Sequence, residues 1–270
     1  MTAFVRPTKI RIYARGKWEE CRIKYSKTPK ELFEGLDSET ERLATLPELV
    51  RLRICTLEPL VDMKDPDIVK KIRDDPETYG IWSVRITTMS LMIRAIDKEG
   101  KDIVFFHDGN PFANKDEIRS SFEHELSDGG IKLSDSMVDR AIRAMRDESC
   151  LTHEDYLKAK GGNFTSTEFA QHPVFKAACP DETLRTRYSR ILDKLDSFGF
   201  YNLGMHSLWR PGEMKIGYGR FISLGFKGEA FYPPNSSTVD HAVLVLPLGI
   251  DILPGIEIKK PVSALNWENW

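Results

Sequence analysis

The sequence predicts an α+β protein whose strands lie towards both ends of the chain and whose helices lie between them. Three changes of pattern along the 270 residues indicate this. Strand-like alternation dominates 1–112, helical spacing dominates 113–200, and alternation returns over 201–270. We expect an N-terminal β-hairpin, helix and mixed sheet, a central helical region, and a C-terminal antiparallel β region that packs back on the sheet. These regions form either three domains or a single one.

The first predicted element is a β-hairpin followed by a helix. Residues 8–15 and 18–25 alternate, and Gly16-Lys17 supplies the turn between them. Thr28-Pro29-Lys30-Glu31 has the spacing of a capping box, with proline at the first helical position. The helix that follows is expected to bury Leu32, Phe33 and Leu36.

Three further strands are predicted before residue 107. The run Leu49–Leu57 alternates over part of its length and is predicted as a strand. Residues 82–96 and 102–106 predict a long hairpin, in which Gly100 supplies the positive φ of the turn. Since Met89–Ile93 is apolar on both faces, part of this hairpin is expected at the centre of the sheet.

Four helices are predicted in the central region from their N-caps and apolar stripes. The residues that begin them are Asn114, Ser134, Thr165 and Asp181. Thr165 and Glu168 have the spacing of a capping box, and Pro173 is expected to bend or break the third helix.

The C-terminal region returns to strands over 215–232 and 240–246. Its glycines at 217, 219, 225 and 228 match no phosphate-binding loop, because no helical pattern follows them. We expect them at strand bulges or beneath bulky neighbours.

Composition excludes several classes of protein. Hydrophobic residues at 41% and charged residues at 30% are ordinary for a globular chain, and no apolar run reaches eighteen residues. The N-terminal segment lacks the apolar stretch of a secretory signal, and the four cysteines form no CxxC pair. These features predict a cytoplasmic protein of a reducing compartment, with no transmembrane segment.

Charge is unevenly distributed, and the predicted hairpin is its basic end. Residues 1–30 carry a net charge of +7 and residues 31–80 a net charge of −6, within a total of −2. One hairpin face combines cations with aromatic rings, as in proteins that bind single-stranded RNA. The candidate nucleic-acid-binding residues are Lys9, Arg11, Tyr13, Arg15, Trp18, Arg22 and Lys24. The alternative is a solvated face, or one neutralised by the acidic stretch.

The sequence identifies no catalytic residue, metal site or cofactor. The six histidines form no HExxH motif, and the cysteines are expected to be buried thiols. His107-Asp108 ends a predicted strand and Asp240-His241 begins one, positions where functional side chains often lie.

Phe164-Thr165-Ser166-Thr167-Glu168-Phe169 is similar to the aromatic-Ser-Thr-Ser strand motif of mono-ADP-ribosyltransferases. The resemblance implies an early strand arginine, for which Arg11 or Arg15 is available, and a later acidic motif. Glu257 is available for that motif, although glycine occupies its partner position. The same string also fits a helix cap.

The chain ends with Trp267 and Trp270, which together can bury a large apolar area against a neighbouring subunit. We therefore expect a non-catalytic structural or interaction protein that assembles with copies of itself, of the viral matrix, capsid or nucleocapsid-associated kind. Two hypotheses remain open beside it: an enzyme of the mono-ADP-ribosyltransferase type, and a single-stranded RNA-binding module that uses the basic hairpin.

Overall fold

A computed structural model describes ten stretches of the chain. They are residues 9–14, 17–26, 28–37, 39–62, 85–126, 129–159, 161–197, 206–208, 214–225 and 241–249. Side chains are described in these stretches except at 9–19, 29, 57–62, 196–197, 206–208 and 241.

These stretches contain eleven strands and eight α-helices. The strands are β1 (Lys9–Ala14), β2 (Lys17–Ser26), β3 (Glu41–Leu43), β4 (Ile86–Ile96), β5 (Asp102–Asp108), β6 (Ile131–Lys132), β7 (Cys150–Thr152), β8 (Gly162–Phe164), β9 (His206–Leu208), β10 (Tyr218–Leu224) and β11 (His241–Pro247). The helices are α1 (Pro29–Glu34), α2 (Leu46–Asp62), α3 (Lys115–Glu123), α4 (Asp135–Arg143), α5 (His153–Lys158), α6 (Ser166–Gln171), α7 (Pro173–Ala178) and α8 (Glu182–Ser197).

Nine of the strands form one mixed sheet, so the predicted α+β class is confirmed. Its central path runs β1-β2-β11-β4-β10-β6, with β3 paired to β11, β5 to β4, and β7 to β5. The pair β11–β4 is parallel, and the other described pairs are antiparallel. Strands β8 and β9 form a separate antiparallel pair.

Helices cover both faces of the sheet. Helices α2 and α5–α8 pack on one face, which we call the α2 face, and its buried centre includes Leu49, Phe169 and Tyr188. Helices α1, α3 and α4 pack on the other, the α1 face, whose core includes Phe33 and Phe122. Each face of the sheet is thereby removed from water, which explains why Met89–Ile93 is buried throughout.

The N-terminal hairpin and its helix are confirmed, but the predicted Gly16-Lys17 turn is shifted by one residue, because Lys17 is already paired in β2. Ala14 lies opposite Lys17, so residues 15–16 join the two strands. The Thr28 hydroxyl accepts a hydrogen bond from the Glu31 amide at 3.3 Å, and Pro29 begins α1. Leu32 and Phe33 are buried and Leu36 is half-buried, as the pattern predicts.

The predicted strand Leu49–Leu57 is wrong, because this run belongs to helix α2. Thr45 precedes this helix and forms a capping box with Glu48 of its first turn, the Thr45 amide donating to the Glu48 carboxylate at 2.9 Å. The helix is buried on several sides, Arg53 included, so its apolar residues do not form one narrow stripe. A short apolar run in such a position cannot be assigned to helix or strand by its period alone.

The other predicted caps and turns are confirmed. Asn114, Ser134 and Thr165 each accept a hydrogen bond from the third amide of the helix that they begin. The predicted break is at His172, which ends the helix before Pro173 and caps the helix after it. Gly100 has a φ of 80° at the β4–β5 turn.

The two C-terminal strands lie in the sheet, β10 beside β4 and β11 between β2 and β4. Gly219 lies beneath the bulky side chain of Leu91, in agreement with the prediction for these strand glycines. A Cβ at this position would come within 2.9 Å of the Leu91 side chain, so glycine permits the close approach.

The sheet splits where β4 and β11 diverge. Among the described residues, these strands pair at Ala242–Ile86 and Val243–Thr87 and at no other position. Beyond that point β11 pairs with β3 and β4 pairs with β5. The carboxyl ends of β3 and β5 therefore meet at the split, a position at which sheets often present ligand-binding crevices.

Candidate functional site

A cleft of about 680 Å³ lies at the split of the sheet and reaches both helical layers. Its volume falls in the range of small-molecule sites. It is formed by α1, the β3–α2 junction, the segment after β5, and the loops after α4 and α7. The lining residues used below are Phe33, Glu41, Arg42, Thr45, Glu48, Arg51, Met89, Asp108, Gly109, Asn110, Phe112, Ala113, Lys115, Arg146 and Asp181.

The floor of the cleft is apolar and rigid. Phe33 and Phe112 meet edge to face with ring centroids 5.7 Å apart, and Met89 is buried on the same face of the sheet. Phe33 also packs on Phe221 with centroids 4.4 Å apart. The rings are fixed by several neighbours, so the floor is formed before any ligand arrives.

One wall is the capped start of α2. Arg42 binds the Glu48 carboxylate through two nitrogens, at 2.8 and 2.5 Å. Burial opposes ionisation of Glu48, but Arg42 and Thr45 outweigh it and hold the pKa of this carboxyl below its usual range. The Glu48 amide donates to the Thr45 hydroxyl and the Leu46 amide to the Ser90 hydroxyl at 2.8 Å. The Leu46 and Glu48 amides at the start of this helix therefore already have acceptors within the protein.

Asp108 occupies the opposite wall at the end of β5. The hydroxyl of Ser90, which accepts the Leu46 amide, donates to one Asp108 oxygen, and Arg146 lies 3.4 Å from the other. Burial raises the pKa of Asp108 above its usual range, against the opposing effects of Ser90 and Arg146. Ser90 therefore links the carboxyl end of β5 to the start of α2.

Arg51 projects from the second turn of α2 towards Asp181. Its guanidinium lies 3.8 Å from an Asp181 oxygen, and the Arg51 side chain is 13% exposed. The other oxygen of Asp181 accepts the Leu184 amide at 3.0 Å and so caps α8. Asp181 is held by this cap as well as by the arginine.

Glu41 connects the basic hairpin to the cleft. Arg22 and Lys24 of β2 both bind its buried carboxylate, Lys24 at 2.9 Å. Burial, reinforced by the charge of Arg22, lowers the pKa of Lys24 from its usual value. These two predicted nucleic-acid-binding residues therefore neutralise a carboxylate of the cleft wall.

The remaining residues of the predicted RNA-binding face are described only in part. The register places Lys9 opposite Arg22, Arg11 opposite Glu20, and Tyr13 opposite Trp18. Directly opposed residues share a face, so an acidic residue interrupts the basic set. The side chains of Lys9, Arg11, Tyr13 and Trp18, and all of Arg15, lie outside the described residues.

The string that resembles the transferase motif forms a helix cap, and the predicted C-terminal residues are not described. The Thr165–Glu168 string begins helix α6 as a complete capping box, whereas the transferase motif that it resembles lies on a strand. Ser166 is buried and donates to Asp193. Glu257, Trp267 and Trp270 lie outside the described residues.

Within the described part of the chain, no group of three or more metal-binding side chains is brought together. The four cysteines, all of which lie in the described residues, form no disulfide with one another, and burial raises the pKa of Cys179 to about 12. Among the described helices, none is both long and apolar enough to cross a membrane.

Sequence reasoning missed most of the cleft, although one signal pointed to it. The signal is the polar pair His107-Asp108 at the end of a predicted strand, and the structure places Asp108 in the cleft wall. Arg42, Arg51 and Arg146 carried no such signal, because they come from separate elements that only the tertiary structure brings together.

Comparison with known proteins bears on the fold alone. No protein-family model matches the chain, and no curated protein matches it. A solved structure described as "Accommodation of massive sequence variation in Nanoarchaeota by the C-type lectin fold" is similar with a TM-score of 0.59. The identity is 13%, over 83% of this chain and 96% of that chain. The likeness is one of fold alone: the chain is similar to a C-type lectin fold.

Proposed function

We propose that this chain is a non-catalytic binding protein whose cleft takes a small organic ligand with an apolar body. The observation that carries the proposal is the cleft itself, a concave site of about 680 Å³ with an aromatic floor and charged walls at the split of a sheet. Small-molecule sites typically combine such a floor with a few polar groups that fix orientation.

The chemistry of the lining favours binding over catalysis. Among the described lining residues there is no histidine, cysteine or serine, and the carboxyl whose pKa is raised, Asp108, is already bound by the Ser90 hydroxyl and lies 3.4 Å from Arg146. Glu48 is bound by Arg42 through two hydrogen bonds. The nearby Ser90 hydroxyl is buried and already accepts a hydrogen bond from the Leu46 amide. A binding role agrees with the expected non-catalytic interaction protein.

Self-assembly remains part of the proposal and has its own test. It rests on Trp267 and Trp270, which follow the described residues. Deleting residues 265–270 is expected to lower the mass measured by light scattering while the monomer stays folded. An unchanged mass, or an unfolded monomer, would contradict an intersubunit role for the tail.

The binding function is tested with small probes that share one phenyl ring. We expect 3-phenylpropan-1-ol to bind the ¹⁵N-labelled protein with a dissociation constant of about millimolar, as such small ligands do. Amide shifts should change at Gly109, Asn110 and Ala113, which line the cleft.

A pair of size-matched variants makes this test specific. Ala113→Trp places a ring in the cleft and should abolish the shifts, whereas Ala144→Trp, at an exposed position after α4, should leave them unchanged. Binding that survives Ala113→Trp, or shifts that cluster elsewhere, would refute the cleft as the site.

A further inference from the structure

The charged side chains that line the cleft are balanced in number. The carboxylates are those of Glu41, Glu48, Asp108 and Asp181, and the cations are those of Arg42, Arg51, Lys115 and Arg146. With all of these groups ionised, the described lining carries no net charge, so its overall field favours neither an anionic nor a cationic ligand.

Two of the carboxylates form close ion pairs within the protein. Arg42 binds Glu48 through two nitrogens, at 2.8 and 2.5 Å. Glu41 pairs with Arg22 and with Lys24, whose nitrogen lies 2.9 Å from a Glu41 oxygen. Both glutamates are buried, so a ligand that displaced their partners would leave a buried charge unpaired.

The other two carboxylates also have a cation and a hydrogen-bond donor beside them. Arg146 lies 3.4 Å from one oxygen of Asp108, and a serine hydroxyl donates to the other oxygen. Arg51 lies 3.8 Å from Asp181, which also accepts the Leu184 amide. Each carboxylate of the described lining therefore has a cation of the protein beside it.

Lys115 is the remaining cation of the lining, and it is exposed in the first turn of α3. The pKa of Asp37 is lowered mainly by a hydrogen bond from Thr40 and in part by the charge of Lys115, so this cation also has an acidic neighbour. Because water and salt screen an exposed charge, Lys115 adds little attraction for a ligand anion.

Asn110 supplies the cleft with an uncharged polar group. Its side-chain oxygen accepts a hydrogen bond from the Phe112 amide at 3.0 Å, which leaves the NH₂ group of the same side chain with two donors. Among the described residues, these donors have no acceptor. Since Phe112 belongs to the floor, the bond also holds the Asn110 side chain close to the apolar surface.

We propose that the ligand of this cleft is uncharged and carries an oxygen that accepts a hydrogen bond from the Asn110 side-chain amide, while its apolar body lies on Phe33 and Phe112. This inference rests on the proposed binding function and names the ligand class of the same site. Alcohols, ketones and neutral amides have the required oxygen. A carboxylate or an ammonium group would lose hydration in the cleft without gaining an unmatched counter-charge from the described lining.

The test uses two pairs of phenyl probes, and the members of each pair match in size and differ in charge at neutral pH. One pair is 3-phenylpropan-1-ol and 3-phenylpropan-1-amine, and the other is 3-phenylpropionamide and 3-phenylpropionate. Each probe is titrated by the shifts of the Gly109 and Ala113 amides. The neutral member of each pair should bind about tenfold more tightly, because the charged member has the larger cost of desolvation. The side-chain NH₂ signals of Asn110 should move with both neutral probes.

Variants of Asn110 then assign the hydrogen bond. Asn110→Ala should weaken the binding of both neutral probes about fivefold, as the loss of one neutral hydrogen bond does. Asn110→Asp keeps an oxygen for the Phe112 amide but replaces the donors with an unmatched carboxylate, so the amine should now bind more tightly than the alcohol. The control is Asn163→Asp, at an exposed position of β8 outside the lining, which should leave all four affinities unchanged.

The outcomes separate this inference from the proposed function. If a charged probe binds in the cleft as tightly as its neutral counterpart or more tightly, the uncharged ligand class is overturned and the binding function stands. Neutral-probe affinities that survive Asn110→Ala, or an unchanged preference in Asn110→Asp, overturn the role of Asn110. If none of the four probes shifts the cleft amides, the binding function itself fails.

Discussion

Helix α2 carries two arginines, two residues apart, in contrasting surroundings. Arg53 is fully buried between the helices of the α2 face and the sheet, and it donates to the Leu224 and Gly225 carbonyls at 3.0 Å and to the Tyr188 hydroxyl at 3.2 Å. Arg51 faces the cleft and a carboxylate 3.8 Å away. The comparison shows that one residue type has two roles. Arg53 satisfies acceptors that the fold has already buried, whereas Arg51 lines the cleft beside the carboxylate of Asp181.

The largest expected effect is the difference in stability loss between substitutions of Arg53 and Arg51. Arg53→Met should lower the free energy of unfolding by about 3–4 kcal/mol, because buried acceptors lose their donor. Arg51→Met should lower it by less than about 1 kcal/mol, since the ion pair is partly solvated. Urea denaturation of both variants measures the difference. Equal losses would show that the cleft arginine is as structural as the buried one.

The next largest effect is expected at Ser90, which lies between the cleft wall and the buried core. Ser90→Ala should cost about 2 kcal/mol, because the buried Leu46 amide loses its acceptor and Asp108 loses a donor. Ser120→Ala, on the exposed face of α3, should be within about 0.5 kcal/mol of wild type. If the two variants melt alike, Ser90 does not join the cleft to the core.

A smaller effect is expected at the start of α2. Thr45→Ala removes the N-cap hydroxyl that accepts the Glu48 amide, and it should cost about 1 kcal/mol in thermal or urea unfolding. Thr183→Ala, at an exposed position in the first turn of α8, is the matched control and should be neutral. A neutral Thr45→Ala would mean that the bonds of Arg42 to Glu48 suffice to order the cleft wall.

The smallest expected effect is one of pH dependence and concerns Asp108. Burial raises the pKa of this carboxyl in the folded state, so the folded protein retains a proton that the unfolded chain has lost. Stability should therefore fall as pH rises from the usual aspartate pKa of about 3.9 through the raised value. Glu48 and Arg146 are the charged groups that face it: Glu48 adds to the rise and Arg146 opposes it.

Asp108→Asn lacks this titration, so its unfolding free energy should improve relative to wild type as pH rises through that window. Denaturation at a series of pH values gives the difference between the two proteins. Taking the difference removes the opposite trends of Glu48 and Asp102, whose pKa values are lowered in the folded state. A difference that does not vary with pH would show that Asp108 titrates normally.

Much of the local structure was predictable from the sequence. The β1–β2 hairpin, the β4–β5 turn at Gly100, and the caps at Thr28, Asn114 and Thr165 are all confirmed. Each depends on residues within about four positions of one another, so the chain supplies both partners locally. The error at α2 shows the limit of this reasoning: burial on several sides removed the polar face that would have marked a helix.

The sequence by itself determined the α+β class, the order of most elements and the N-caps of four central helices, whereas it gave no prediction of α5. Only the tertiary structure decided that β4 and β11 diverge and that Glu41 forms ion pairs with Arg22 and Lys24. It also decided that Ser90 bonds to Leu46 and Asp108, which are separated from it by 44 and 18 positions in the sequence. The physical reason is the separation of the interacting residues along the chain. Caps and turns are local hydrogen bonds with residue-type signatures, whereas the cleft is formed by charges and rings from distant segments, whose meeting depends on strand order and packing.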